Sequence, residues 1–378
     1  MITNNTYKAV ELFAGIGGFR LACNNLNIET IWANDIDPTA IKVYKSNFGK
    51  DSIVEGDIWN LIESVPNHDL LTGGFPCQPF SKAGKKQGVQ DYRGTLFEAI
   101  VKILSIQRPK YFVLENVSSL LCLENGKNFQ AILSALSSLN YKIEWKVFNA
   151  LEFGLPQNRE RIVIVGSRDA MYNESYFVSK EILLQSSISV LSKITSLDEW
   201  NIINRDKLFF GTWGMAYGDR YISCDTPCAK NIHKLTLKSI LQNEVNEYFD
   251  FTEETEERIK NSVFVNRFFN GVQILYNQAG GARMGYSIFG VDGIAPTLTA
   301  SSSRHYERYK IGNMYRRLTN VEYARLQGFP DNHCNAVSIY KQYKLYGNAV
   351  PHQIVQYVIE KLINEEKTEI NYPKQTLF

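Results

Sequence analysis

The sequence predicts an α/β fold, a mostly parallel sheet binding a ligand at its strand ends and carrying a second, smaller and irregular lobe. Three observations predict it. Short apolar runs alternate with helical patterns through the first 168 residues. Several of those runs end in glycines, acidic residues or prolines just where the chain must turn. From about residue 169 to 312 the alternation gives way to polar, Ser-rich and Asn-rich sequence with scattered aromatics. Strand–helix alternation favours parallel strands with crossover helices, and such sheets take ligands at the carboxyl ends of their strands.

Each element follows from local pattern. Residues 8–14 (KAVELFA) are an apolar run closing on glycines, and residues 19–25 then read as a helix. Residues 29–33 (ETIWA) form a second strand, followed by a helix from Pro38, since proline suits a first helical position. Two further strands, 70–72 and 111–114 (YFVL), lead into GGFPCQPF and ENV, and 161–165 (RIVIV) is another buried strand. RRLTNVEYARLQGF reads as a helix start and 350–365 as an amphipathic helix, so the chain from 313 to 378 is expected to return to the first lobe. The expected division is therefore 1–168, 169–312 and 313–378.

Length and composition agree. A chain of 378 residues exceeds the ~250–300 at which one core stops growing, so two lobes are expected. With 44% hydrophobic and 21% charged residues, wholesale disorder and a fibrous fold are excluded. No apolar run approaches the ~20 residues of a membrane span, and the first residues lack a secretory pattern. A cytoplasmic protein is expected. Six cysteines are scattered without a disulfide framework, which suits reduced thiols. Cys224 and Cys228 are one pair without a second, so no metal is expected. The net charge of +2 announces no nucleic-acid partner, so a basic surface must be local. Residues 81–93 (SKAGKKQGVQDYR) and 303–317 (SRHYERYKIGNMYRR) qualify, although a charge cluster alone is more often a solvated face.

The motifs carry more than the composition. In FAGIGGF, Gly15, Gly17 and Gly18 stand between strand and helix, where backbone amides can approach a ligand. Such a turn is as often structural, but Asp35 follows twenty residues after Gly15 at the end of the next strand, where a carboxylate can accept both ribose hydroxyls. Asp57 in EGDIW is a third strand-end group. Together they point to an adenosine-containing ligand. In GGFPCQPF, Cys77 sits between two prolines after a glycine pair, and a stiff loop at a strand's carboxyl end aims a nucleophile. Glu115 in ENV, and Arg159 and Arg161 in QNRER, lie at neighbouring strand ends; a capping carboxylate and structural salt bridges would explain each alone, but not all of them beside Cys77.

These motifs, in this order, resemble the cytosine-5 DNA methyltransferases of bacterial restriction–modification systems over most of the chain. FAGIGGF, NDID and GDI resemble the family's three cofactor motifs, PCQPFS its catalytic loop and DYRGTLF the motif after it. ENV and QNRER resemble the glutamate and arginine motifs, and RRLTNVEYARLQGFPD and YGNAVP the last two, beyond a variable region. The resemblance implies a Rossmann-like S-adenosylmethionine-dependent methyltransferase domain with a smaller, irregular target-recognition domain. It implies a donor, S-adenosyl-L-methionine, held by Phe13, Ala14, Gly15, Gly17, Gly18, Asp35, Ile36, Asp57, Ile58, Pro76, Leu96, Asn348, Ala349 and Val350. It implies catalysis by Cys77, Glu115, Arg161 and Arg159. Double-stranded DNA would be met by Gln78, Ser81, Lys85, Lys86 and Arg93 on a lid with Gly84, Gly88 and Gly94 as hinges, and by Thr297, Arg304 and Arg308. Relatives often carry an aromatic residue where Ile36 stands, which touches only adenine packing. A monomer sharing its site with a restriction endonuclease, without membrane association, is expected.

Three rivals remain. A dehydrogenase explains the glycines and Asp35 but gives PCQ, ENV and QNRER no role. A tRNA cytosine methyltransferase shares the chemistry, but relatives of that kind resemble the family with a compact second lobe. A DNA-binding protein without catalysis would not need Cys77, Glu115 and Arg161.

Overall fold

The computed structural model describes residues 7–76, 92–186, 188–204, 209–227, 235–277, 287–299 and 307–364. The chain divides into two compact units, one built from Met1–Phe148, Glu160–Lys230 and His352–Asn371, the other from Asn149–Arg159, Asn231–Pro351 and Tyr372–Phe378.

The first unit alternates as expected at its start: β1 (Lys8–Leu12), α1 (Gly18–Asn25), β2 (Glu29–Asp35), α2 (Pro38–Phe48), β3 (Val54–Glu55), β4 (Leu70–Gly74), α3 (Tyr92–Gln107), β5 (Tyr111–Val117), α4 (Lys127–Ser137), β6 (Lys142–Asn149) and β7 (Glu160–Ser167). Two short helices, α5 (Lys180–Ser186) and α6 (Ile188–Lys193), precede β8 (Asn201–Ile202), β9 (Trp213–Tyr217) and β10 (Arg220–Cys224). All ten strands form one sheet in the order β3-β2-β1-β4-β5-β7-β6-β9-β10-β8. Strands β1 to β5 pair in parallel, whereas β7 runs antiparallel to β5 and β8 to β10 continue antiparallel.

The sheet is thus less parallel than the sequence predicts. β6 and β7 are neighbours joined through residues 150–159 without a long crossover helix, and parallel neighbours need a connection of about a dozen residues or more, usually helical. Burial on both faces explains the unbroken apolar runs: Leu70 and Leu71 of β4 and Ile162 to Val165 of β7 are all 0% exposed.

The second unit holds a five-stranded sheet in chain order: β11 (Val263–Phe269), β12 (Val272–Asn277), β13 (Ser287–Phe289), β14 (Arg308–Ile311) and β15 (Met314–Arg316). Its helices are α7 (Glu253–Lys260), α8 (Asn320–Leu326) and α9 (Ile339–Asn348). A capping box starts α8, with Thr319 accepting from the Glu322 N–H and Glu322 from the Thr319 N–H. The last helix, α10 (His352–Ile363), belongs to the first unit, where Asn25 at the end of α1 donates to Gln356 at 2.9 Å.

The expected boundaries do not coincide with these units. Residues 201–224 extend the first unit's sheet instead of opening a second lobe, because Ile143 to Lys146 of β6 pair with β9. Residues 313–351 stay with the second unit, and the return to the first begins at His352. The second sheet also gives the irregular stretch more order than its sequence suggested; its strands are short and interrupted by polar residues, which blurs a period of two.

Candidate active site

The glycine loop is built where β1 ends. Phe13 holds φ +54°, a conformation a bulky side chain rarely adopts, and the Ala14 N–H donates to the Asn34 carbonyl at 2.9 Å, tying the loop to β2. Gly17 has φ +86°, and a Cβ there would stand 2.3 Å from the Phe48 ring and 3.2 Å from Tyr44, so only glycine fits. A Cβ at Gly15 would meet only the Phe13 carbonyl, at 4.0 Å, so that side of the loop opens on space a ligand can fill.

Asp35, at the end of β2, faces this loop. Its Oδ2 accepts from the Gly15 N–H at 2.7 Å, and its Oδ1 from the N–H groups of Ile36 at 2.7 Å and Asp37 at 2.8 Å. Burial raises its carboxyl above the usual range, opposed by those three bonds. A carboxylate has about four acceptor sites, so in this geometry Asp35 braces the loop and keeps about one acceptor site open. Ile36 is 66% exposed, an apolar side chain placed at the strand end where adenine packing is expected. Asp57 accepts from the Trp59 N–H at 3.1 Å. Ile58, beside it, is 2% exposed and packs within the main core. Pro76 is exposed, and Leu96 packs partly buried against the same core.

The catalytic candidates of this unit meet through strand register. Glu115 of β5 pairs with Gly74 of β4 on one side, and Arg161 of β7 pairs with Val117 on the other. Arg161 and Glu115 are therefore diagonal neighbours on one face, and Arg161 Nε lies 2.8 Å from Glu115 Oε1, with side-chain exposures of 11% and 13%. The pair is nearly dry yet reachable. Arg161 also donates to the Glu160 carbonyl at 2.7 Å. Gly74, opposite Glu115, is three residues before Cys77, which lies outside the described residues together with Gln78, Ser81, Lys85 and Lys86. Arg93 and Gly94 fall in the first turn of α3, which places Gly94 in a helix rather than at a hinge; the Arg93 side chain lies outside the description.

Sequence reasoning passed over Asn116. It is 3% exposed and donates from Nδ2 to the Phe75 carbonyl at 2.8 Å, fixing the chain two residues before Cys77. Its position between Glu115 and Val117 in ENV was the available signal.

In the second unit Arg159 is not placed as a catalytic group. It is 0% exposed, and its guanidinium donates to the carbonyls of Leu298 at 2.9 Å and of Gly347 and Ala349 at 3.0 Å. It positions the segments that carry Thr297 and the expected donor contacts Asn348, Ala349 and Val350. Gln157, also unforeseen, donates to Leu326 O at 3.1 Å and accepts from the Leu298 N–H at 2.9 Å. Thr297 turns its hydroxyl to the Asn158 carbonyl. Arg308 is half-buried in β14, and Arg304 lies outside the described residues. Among the described residues no group of three His, Cys, Asp or Glu could hold a metal, and no helix is long and apolar enough to cross a membrane.

Comparison with known proteins accounts for this arrangement. Residues 7–364 match the family model for C-5 cytosine-specific DNA methylases. The chain is 34% identical over 369 residues to the Type II methyltransferase M1.ScrFI of Lactococcus lactis subsp. cremoris, covering 94% of this chain and 78% of that protein. It is 30% identical over 355 residues to the Type II methyltransferase M.HhaI of Haemophilus parahaemolyticus, covering 93% and 92%. In fold it is similar to the Dnmt2 methyltransferase of S. pombe, with a TM-score of 0.66, 19% identity, and coverage of 95% of this chain and 98% of that one. The chain belongs to the C-5 cytosine-specific DNA methylases and is a DNA methyltransferase of the restriction–modification type.

Proposed function

We propose that this methyltransferase acts by covalent catalysis through Cys77 on a cytosine flipped out of duplex DNA, with S-adenosyl-L-methionine as donor. When bound, the donor supplies an electrophilic methyl group. Carbon 5 of cytosine is too weak a nucleophile to take it directly. The Cys77 thiolate therefore adds to carbon 6, forming a carbon–sulfur bond and pushing electrons toward carbon 5. Glu115 gives a proton to ring nitrogen 3 and meets the exocyclic amine; Arg161 holds the carbonyl oxygen. Carbon 5 takes the methyl group, whose former bonding electrons stay on the donor's sulfur, and then gives its proton to a base; the carbon–sulfur bond to Cys77 breaks to release the thiolate, and nitrogen 3 returns its proton to Glu115. The observation that carries this reading is the Glu115–Arg161 pair at 2.8 Å, opposite the strand that leads into Cys77.

The reacting atoms are stacked inside a duplex, so the base must leave it at a cost of a few kcal/mol. Residues 81–93, with Lys85, Lys86 and Arg93, suit a lid that meets phosphates. Sequence specificity is assigned to the second-unit part of the variable stretch, residues 231 to 312, with Thr297, Arg304 and Arg308 at the DNA. The biological role proposed is protection of cytoplasmic host DNA from a cognate endonuclease, by a monomer. Duplex DNA carrying 5-fluorocytosine, incubated with enzyme and donor, tests the chemistry: fluorine blocks the final elimination, and the stable adduct is expected on Cys77. An adduct on another residue reassigns the nucleophile, and methylation persisting in Cys77→Ala overturns the mechanism. Bisulfite sequencing of host DNA and RNA after expression separates the tRNA reading and reveals the site.

A further inference from the structure

We propose that Glu11 of β1 is a positioning residue for the methyl donor: one buried carboxyl group pins the first turn of α1 and the middle of α2 together, and its charge state tunes donor affinity. This rests on the reading that the glycine loop holds S-adenosylmethionine.

Glu11 is 1% exposed. Its Oε1 accepts from the Arg20 N–H at 3.3 Å, and its Oε2 from the Tyr44 hydroxyl at 2.7 Å. The first contact matters because α1 starts at Gly18 after a glycine N-cap and carries no acidic residue in its first turn. A helix start needs acceptors for its first N–H groups and favours negative charge. The neighbouring strand supplies both. The second contact reaches the loop by another route, since the Tyr44 ring that Glu11 holds stands 3.2 Å from where a Cβ of Gly17 would be. The Arg20 guanidinium lies over the Tyr44 and Phe48 rings at 5.9 and 5.3 Å, so the loop rests on a layer that Glu11 anchors from beneath.

The groups that face Glu11 are Arg20 and Cys23 from α1, Tyr44 from α2 and Asp35 at the end of β2. Burial pushes the Glu11 carboxyl up to about 7, against the pull of Tyr44 and Arg20. The folded protein then binds a proton that the unfolded chain releases near 4.5, so the contribution to stability falls as pH rises from about 4.5 to about 7 and is level above that. Ionisation acts oppositely on the loop. The carboxylate accepts more strongly from the helix start, and its negative charge sits on the strand that leads into the glycine loop, where a cationic ligand is favoured.

Calorimetry of S-adenosylmethionine binding to the wild type and to Glu11→Gln between pH 6 and 8.5 tests this, with thermal unfolding of the ligand-free proteins alongside. The ratio of the Kd of Glu11→Gln to that of the wild type is expected to grow from near one to about fivefold, the scale of one charge at a helix start. The ligand-free wild type should lose thermal stability relative to Glu11→Gln from pH 6 to about 7 and hold level above that. A ratio constant with pH, with normal binding by the wild type, overturns the role of Glu11 alone. No binding by the wild type at any pH overturns the donor reading as well. If Glu11→Gln does not fold, Tyr44→Phe serves: removing the donor to Oε2 should move the midpoint of the wild-type affinity profile to higher pH, and an unmoved midpoint overturns the proposal.

Discussion

Arg159 and Arg161 stand two residues apart in one short motif and have opposite surroundings. Arg161 lies on β7 beside Glu115, with 11% of its side chain open to solvent and a carboxylate at 2.8 Å. Arg159 lies just before the strand, in the second unit, 0% exposed, with its donors given to backbone carbonyls. A guanidinium paired with an accessible carboxylate can meet a substrate; one enclosed among carbonyls holds loops in place. On the proposed mechanism, chemistry and architecture are divided between neighbouring residues of the same type.

That division can be broken by mutation. The largest effect is expected from Arg159→Ala, which orphans three buried carbonyls. At ~1–3 kcal/mol for each group left unsatisfied, and with partial relaxation, the loss should be about 3–5 kcal/mol in denaturant unfolding. Arg159→Lys should recover little, since one ammonium cannot span all three positions. Unfolding like the wild type together with lost turnover would instead return Arg159 to the catalytic group.

Arg161→Ala is expected to lower kcat about 100- to 1,000-fold, the usual loss for one preorganised donor at a reacting oxygen. Its unfolding midpoint should move far less than that of Arg159→Ala. A stability loss as large as that of Arg159→Ala, with kcat kept, would erase the contrast.

Asp35→Ala sharpens the comparison within the first unit, because Asp35 both braces Gly15 and keeps one acceptor site. Donor affinity should fall about 10- to 100-fold by calorimetry, the scale of one or two charge-assisted bonds, with DNA affinity unchanged. Unchanged donor affinity would mean that the ribose is held elsewhere. The smallest effect is expected from Thr297→Val. Its hydroxyl is given to Asn158 O, so about 1 kcal/mol of stability should be lost while DNA affinity stays close to that of the wild type. A loss of DNA affinity of about tenfold or more in the folded variant would mark a contact with DNA instead.

What the sequence by itself determined was local. Apolar runs ending in special residues located β1, β2, β4, β5 and β7, and proline at a helix start located α2, because burial and backbone sterics act over a few residues. The order of FAGIGGF, PCQ, ENV and QNRER was enough to place the chain in its family. Tertiary structure alone decided which side chains share partners. Arg159 and Arg161 are equal in the sequence, and Asp35 reads as a pure ligand group until Gly15, Ile36 and Asp37 are seen to use three of its acceptor sites. Glu11 has no distinct role within the apolar run KAVELFA until Arg20 and Tyr44 converge on it. The antiparallel run from β7 to β10 and the boundary at His352 were likewise hidden. Most of these strand pairings and hydrogen bonds join residues from nine to 190 positions apart, and no local period records them.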